Sequence, residues 1–132
     1  MSDLSAAFLN AYFRAEEPSS GWPAEFTVIT AYNPNGVVLD LATNLEADRV
    51  LKCELEMRQC FHFRVTGGSR DGKHEEPGWG IMEFSATAAR EICIAFQQLA
   101  YFHVRHGEIH LIDARNGEVG TVGLWTERWL GP

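Results

Sequence analysis

The stretch Phe26-Thr27-Val28-Ile29-Thr30-Ala31-Tyr32 decides the fold because it is apolar on both of its faces. β-Branched and aromatic residues favour an extended backbone, and a strand with two apolar faces must be covered on both sides. The sequence therefore predicts a strand in the interior of a sheet. The segment Asn33-Pro34-Asn35-Gly36 follows it directly and is typical of a turn, so we expect the strand to end there.

The segments around this strand carry their own periodic patterns. Helical spacing of apolar residues predicts three helices, and alternation or short apolar runs predict four further strands. A capping box of Thr43 and Glu46 is expected to open the second helix, and Ser85 to cap the third. The predicted helices cover 4–15, 45–58 and 86–99, and the predicted strands cover 60–66, 79–84, 101–105 and 108–113.

The order of these elements predicts the fold class. A helix is followed by β, α, β, β, α, β and one more β, and the last two strands form a hairpin about His106-Gly107. This order predicts an α+β domain with a mainly antiparallel sheet, a split-βαβ (ferredoxin-like) core, an N-terminal helix and an extra C-terminal hairpin strand. A tail with Trp125 and Trp129 is expected to add a short strand or helical turn. The length of 132 residues fits a single domain, 1–132.

Composition restricts the classes of partner. The net charge is −7 and the basic residues are scattered, which argues against binding to nucleic acid and allows a basic protein partner. The first seventeen residues lack the features of a signal peptide, and no apolar run approaches the roughly 20 residues that a membrane span needs. We therefore expect a cytoplasmic protein. The oligomeric state stays open.

Cysteine and histidine patterns disfavour a metal site. The three cysteines have no CxxC spacing, and Cys93 lies in an apolar run that is typical of a core. His103 and His110 would be cross-strand neighbours on the predicted hairpin. Because no third ligand has a fixed spacing to them, the sequence predicts no metal there. Nothing in the sequence identifies a cofactor.

Topology predicts where a site would lie. The first two strands of the core end at one edge of the sheet, the third begins there, and the second core helix ends there. The polar, Gly-rich segment 67–78 is therefore expected to form a long loop at that edge and to fold over it as a lid. The candidate ligand-binding residues that this edge collects are Tyr32, Asn33, Arg70, His74, Glu75, Glu76, Trp79 and Gln98.

Short motifs in the same regions resemble a known family. They are TAYNP at 30–34, Asn44 at the start of a core helix, HEEPGWG at 74–80 and FQQLAYF at 96–102. Together they resemble the bacterial domain-of-unknown-function family 3293 (DUF3293) over about residues 26–113. The resemblance implies neither an activity nor a catalytic residue. It marks a set of motif positions, namely Thr30, Tyr32, Asn33, Glu76, Pro77 and Gln98.

Three functions are compatible with these residues. The leading hypothesis is a module that binds a small polar or nucleotide-like ligand under the 67–78 loop, with Asn33 and Gln98 as donors and acceptors and Trp79 or Tyr32 stacking. The first alternative is an acidic protein-interaction or regulatory domain of the phage or toxin-neutralising type. The second is a hydrolase-like enzyme with Glu76 as general base and His74 as its partner.

Two observations would separate these functions. A concave pocket lined by the polar motif residues would favour a ligand or a substrate. A flat acidic face, with the motif residues buried as structural caps, would favour protein interaction. A P-loop is disfavoured at the outset, because His74 occupies the position after Gly72-Lys73 where that motif needs a hydroxyl.

Overall fold

The computed structural model describes residues 6–132, which form one sheet of seven strands with four helices. The helices are α1 (Ala6–Leu9), α2 (Leu41–Met57), α3 (Ala86–Ala95) and α4 (Trp125–Arg128). The strands are β1 (Tyr12–Arg14), β2 (Glu25–Thr30), β3 (His62–Gly68), β4 (Glu75–Ile81), β5 (Ala100–Arg105), β6 (Glu108–Asp113) and β7 (Val119–Leu124). Within residues 6–132, no helix is both long and apolar enough to cross a membrane.

All strand pairs in the sheet are antiparallel. The strand order is β1-β3-β4-β2-β5-β6-β7, so β2 lies in the middle, between β4 and β5. The predicted α+β class and the interior position of the 26–32 strand are thus confirmed. Both faces of β2 are apolar and must be covered, and its position in the middle of the sheet allows this.

Side chains that alternate along β2 enter two separate cores. On one face, Ile29 packs with Leu51 and Leu55 of α2. On the other face, Phe26 packs in a cluster of aromatic residues that includes Trp125. A bridge between Phe13 and Trp129 joins β1 at one edge to the segment after α4, so the sheet curls around this second core.

The predicted helix over 4–15 is wrong from residue 10 onward, and residues 4 and 5 lie outside the described part of the chain. Helix α1 ends at Leu9, and Tyr12–Arg14 is the edge strand β1, paired with β3. Phe13 is fully buried and contacts the ring of Phe102 edge-on, at 5.0 Å between centroids. Short helices are only marginally stable without tertiary packing, so the burial of Phe13 outweighs the helical spacing of this segment.

The predicted long loop over 67–78 is also wrong. Strand β3 continues to Gly68 and β4 begins at Glu75, so a turn over 69–74 joins them. The glycines permit this pairing, since a Cβ at Gly68 would overlap the carbonyl oxygen of His74. Because the segment is a regular hairpin, it does not form the expected lid.

The helix starts show which local signals are reliable. Helix α3 begins after Ser85 as predicted, and the Ser85 side chain accepts a hydrogen bond from the amide of Ala88 at 3.0 Å. Helix α2 is instead capped by Asp40, whose carboxylate accepts from the amide of Thr43 at 2.7 Å, so the Thr43–Glu46 capping box is wrong. The hairpin about His106-Gly107 is confirmed, and His103 pairs with His110.

Candidate functional site

The connection from β2 to α2 is organised around Asn33. Its backbone is left-handed, with φ of 51°, a conformation that asparagine tolerates better than most residues. The side-chain oxygen accepts from the side-chain nitrogen of Asn44 at 2.8 Å and from the backbone amide of Leu39 at 3.1 Å. The side-chain nitrogen donates to the Glu76 carboxylate at 2.8 Å. Asn33 therefore links the connection, α2 and β4 through one buried side chain.

Asn44 completes a reciprocal pair with Asn33. Its side-chain oxygen accepts from the backbone amide of Asn33 at 3.0 Å, and its nitrogen also donates to the Leu39 carbonyl at 3.4 Å. Asn44 lies on the buried face of α2 with Asp48, Leu51 and Leu55. A buried amide whose partners are all protein groups stabilises one conformation of the connection. We call Asn33, Asn44 and Glu76 the polar network.

Glu76 is the ionisable member of the polar network. Its side chain is 23% exposed, and the oxygen that accepts from Asn33 lies 3.6 Å from the Nε2 atom of His74. Among residues 6–132, no lysine or arginine forms an ion pair with it. Its neighbour Glu75 points to the opposite face of β4 and lies 4.0 Å from Arg14.

The predicted convergence of Asn33, Glu76 and Gln98 at one end of the sheet is confirmed. The Gln98 side-chain nitrogen donates to the Tyr32 carbonyl at 3.1 Å, and Asn33 contacts Glu76 directly. Arg70 is not part of this group. It lies at the tip of the β3–β4 hairpin, where its guanidinium stands 5.8 Å from the ring of Tyr12.

The two aromatic candidates are buried. The guanidinium of Arg64 lies 3.7 Å from the centre of the Trp79 ring, and Asp48 holds it with two hydrogen bonds of 2.8 Å. Burial raises the pKa of the Tyr32 phenol, the Asp48 carboxylate raises it further, and Arg64 lowers it. Arg64 therefore occupies the face of the Trp79 ring on which a ligand would have to stack.

Sequence reasoning missed Asp48 and Arg64 as members of this end of the molecule. A signal was present for Asp48, since Asn44, Asp48, Leu51 and Leu55 share one helical face and two of the four are polar. Arg64 follows the alternation of β3 on the side opposite to Val65. Its pairing with Asp48 becomes visible only when α2 is packed on the sheet.

The connection held by the polar network exposes apolar side chains. Val37, Val38, Leu41 and Leu45 are between 52% and 79% exposed, and we call these four residues the apolar patch. Leu41 and Leu45 are one helical turn apart at the start of α2, so they share a face. Groups of large exposed apolar side chains often mark the surface at which a partner binds.

The remaining predicted features lie elsewhere. His103 and His110 are cross-strand neighbours as expected, and their Nε2 atoms lie 2.8 Å from the carboxylates of Glu25 and Glu108. That they hold no metal stays a prediction. Cys93 is fully buried, as predicted for a core residue, and burial raises the pKa of its thiol to about 12.

Comparison with known families gives one match. The model of the family described as "Protein of unknown function (DUF3293)" matches residues 29–101, a segment that runs from β2 to the start of β5. It contains the whole polar network and the apolar patch. No curated protein and no solved structure matches the chain.

Proposed function

Since the chain belongs to the DUF3293 family, whose function is unknown, we propose from its geometry that it is a protein-interaction module. The observation that carries this proposal is the combination of a buried polar network with the apolar patch that it holds in place. Asn33 and Asn44 satisfy each other, so their amide groups are not available to a ligand. Their structural effect is to hold the segment that presents Val37 and Val38 to solvent.

The charge of the chain indicates the kind of partner. With a net charge of −7, two copies of this chain repel each other, which disfavours self-association through the patch. A partner with an apolar face surrounded by lysine or arginine matches both the patch and the charge. We therefore commit to a basic, amphipathic protein segment as the occupant.

Two synthetic helices test this interaction. One has a leucine face with a lysine rim, and the other has the same leucine face with a glutamate rim. We expect the lysine peptide to shift the backbone NMR signals of residues 37–45, and the glutamate peptide to bind at least about tenfold more weakly. The double variant Val38→Ser/Leu41→Ser should weaken the lysine peptide about tenfold while the melting temperature stays unchanged, since both side chains are exposed.

A matched control removes apolar side chains elsewhere. Met57 and Ile94 are 80% and 66% exposed, so Met57→Ser/Ile94→Ser deletes comparable surface outside the patch. This control should bind the lysine peptide as the parent protein does. Equal binding of both peptides, or equal loss in both double variants, would refute a specific site at 37–45.

A second candidate function is supported by Glu76 and His74. We propose that a small polar ligand with a donor group or a positive charge binds at this end of the sheet. Glu76 has one oxygen that Asn33 does not occupy, and its other oxygen, which accepts from Asn33, lies 3.6 Å from Nε2 of His74. Gln98 has an amide oxygen without a partner among residues 6–132.

Glu76→Gln distinguishes this second function from a structural role. A glutamine oxygen still accepts the Asn33 hydrogen bond, so we expect the free energy of unfolding to change by less than about 1 kcal/mol. In a thermal-shift screen of amines, amino acids and nucleosides, a ligand should raise the melting temperature of the parent protein and not that of the variant. If no compound separates the two proteins, the ligand site is excluded for these classes.

The segment from β2 to β5 also has an interpretation at the level of topology. We propose that it is a split-βαβ core of the ferredoxin-like kind. This is supported by the order β3-β4-β2-β5, in which β4 separates β2 from β3 and β2 separates β4 from β5. On this interpretation β1, β6 and β7 extend the core at its two edges.

A further inference from the structure

A groove lies at the other end of β2 from the polar network, between the start of α3 and strands β5 and β6. Its volume is about 530 Å³, and a neighbouring hollow of about 410 Å³ shares Thr27, Ser85 and His103 with it. Apolar side chains, including Phe84, Ile112 and Val119, line part of its wall. The groove is therefore separate from the residues that carry the proposed function.

Two hydroxyl groups in this groove have no hydrogen-bond partner among the described residues, 6–132. Thr27 is 3% exposed and Tyr101 is 6% exposed, and both line the groove. Within residues 6–132, the side-chain polar atoms that have neither contact with solvent nor a hydrogen-bond partner belong to Trp79, His110 and Trp125. The Thr27 and Tyr101 oxygens are therefore reached by solvent from the groove. Each hydroxyl is therefore available to form a hydrogen bond with a molecule that enters the groove.

The start of α3 supplies further donors to the same groove. Helix α3 has ten residues, and its capping residue Ser85 satisfies the amide of Ala88. The amides of Ala86 and Thr87 have no partner within residues 6–132, and both residues line the groove. Free amides at a helix start favour negative charge, because they point outward and the helix dipole adds to them.

The formal charges around the groove balance, with Arg90 and Arg115 against Glu25 and Asp113, and both carboxylates already have a partner. The Asp113 carboxylate is neutralised by Arg115 at 2.8 Å, and Arg115 lowers the pKa of that carboxyl. The Glu25 carboxylate lies 2.8 Å from Nε2 of His103. Arg90 lines the groove and donates to the Arg115 carbonyl through one nitrogen, which leaves its other donors for a ligand.

We propose that this groove binds the carboxylate or phosphate group of a small molecule that also has an apolar part. The oxyanion accepts hydrogen bonds from the amides of Ala86 and Thr87, from the two unpaired hydroxyls and from Arg90. The apolar part packs against the wall that contains Phe84. The shared chemistry is an oxyanion attached to a ring or short chain, and the probes below separate carboxylate from phosphate.

The test follows backbone NMR signals during titration with benzoate, phenyl phosphate, inorganic phosphate and neutral benzamide. We expect benzoate or phenyl phosphate to shift the amide signals of Ala86 and Thr87, and to bind at least about tenfold more tightly than benzamide. Inorganic phosphate lacks the apolar part and should bind more weakly than phenyl phosphate. Tyr101→Phe and Thr27→Val should each weaken binding about fivefold, and Arg90→Gln about tenfold.

Matched controls separate binding from folding. Tyr12→Phe removes a tyrosine hydroxyl on β1, away from the groove, and should leave affinity unchanged. Tyr101→Phe should keep the parent melting temperature, because the Tyr101 hydroxyl has no partner to lose within residues 6–132. This variant therefore tests the site even if Thr27→Val folds poorly. No shift at Ala86 and Thr87, benzamide binding as tightly as benzoate, or full affinity in Tyr101→Phe would each overturn the proposal. The variant Val38→Ser/Leu41→Ser should bind these probes as the parent protein does. A negative result for the groove would therefore not count against the proposed protein interaction.

Discussion

Replacing Gly78 with alanine is expected to cost about 3 kcal/mol or more in the free energy of unfolding. Gly78 lies in β4, paired with Thr30 of β2 on one side and with Val65 of β3 on the other. An added Cβ would lie 2.5 Å from the carbonyl oxygen of Ile29 and 3.1 Å from the Cα of Thr30. Both atoms belong to the backbone of the central strand, so the sheet has to distort to make room. Chemical denaturation followed by circular dichroism measures the loss.

Gly67→Ala is the matched control for this substitution. Gly67 is also a strand glycine, in β3, but an added Cβ there would lie 3.6 Å from the ring of Phe13, which is ordinary contact. We expect it to change the free energy of unfolding by less than about 1 kcal/mol. Equal stability of the two variants would show that β2 and β4 do not approach each other at Gly78 as closely as described.

Replacing Asn33 with glycine is expected to destabilise the protein by about 2–4 kcal/mol. The substitution removes three side-chain hydrogen bonds, and it leaves groups of Asn44 and Glu76 without their partner in a largely buried setting. Glycine accepts the left-handed backbone at this position, so the loss reports the hydrogen bonds rather than backbone strain. For a chain of this length the melting temperature should fall by roughly 4 °C per kcal/mol.

Asn35→Gly controls for the effect of glycine itself. Asn35 has φ of 56°, close to the 51° of Asn33, but it is exposed and its side chain makes one hydrogen bond of 3.3 Å. We expect this variant to lose less than about 1 kcal/mol. If both variants lose the same amount, the polar network contributes nothing to stability and does not hold the apolar patch in place.

Local signals in the sequence were sufficient for several parts of the fold. The two apolar faces of 26–32 predicted the interior strand, Ser85 predicted the start of α3, and His106-Gly107 predicted the last hairpin. Each depends on interactions within a few residues or on a side-chain alternation that is a property of the strand alone. The motifs at 30–34 and 74–80 also identified the family, whose model matches residues 29–101.

The sequence predicted where the candidate site lies but not which contacts its residues make. Strand directions alone brought Asn33, Glu76 and Gln98 to one end of the sheet. Whether their polar atoms face a ligand or each other depends on partners that are 43 and 66 residues apart in the chain. No local pattern encodes a hydrogen bond over that separation, because its geometry is set by how α2 and the strands pack.

The sequence by itself determined the interior strand, the α+β class and the family, whereas only the tertiary structure decided what the ambiguous segments became. Residues 67–78 have the composition of a loop, yet they form a hairpin, since β1 and β4 pair with both edges of β3 and glycine permits the close approach. Residues 12–14 have helical spacing, yet they form an edge strand because Phe13 is buried against Phe102. The physical reason is the same in both cases: weak local preferences of a few tenths of a kcal/mol per residue yield to burial and to ladder hydrogen bonds supplied by distant strands.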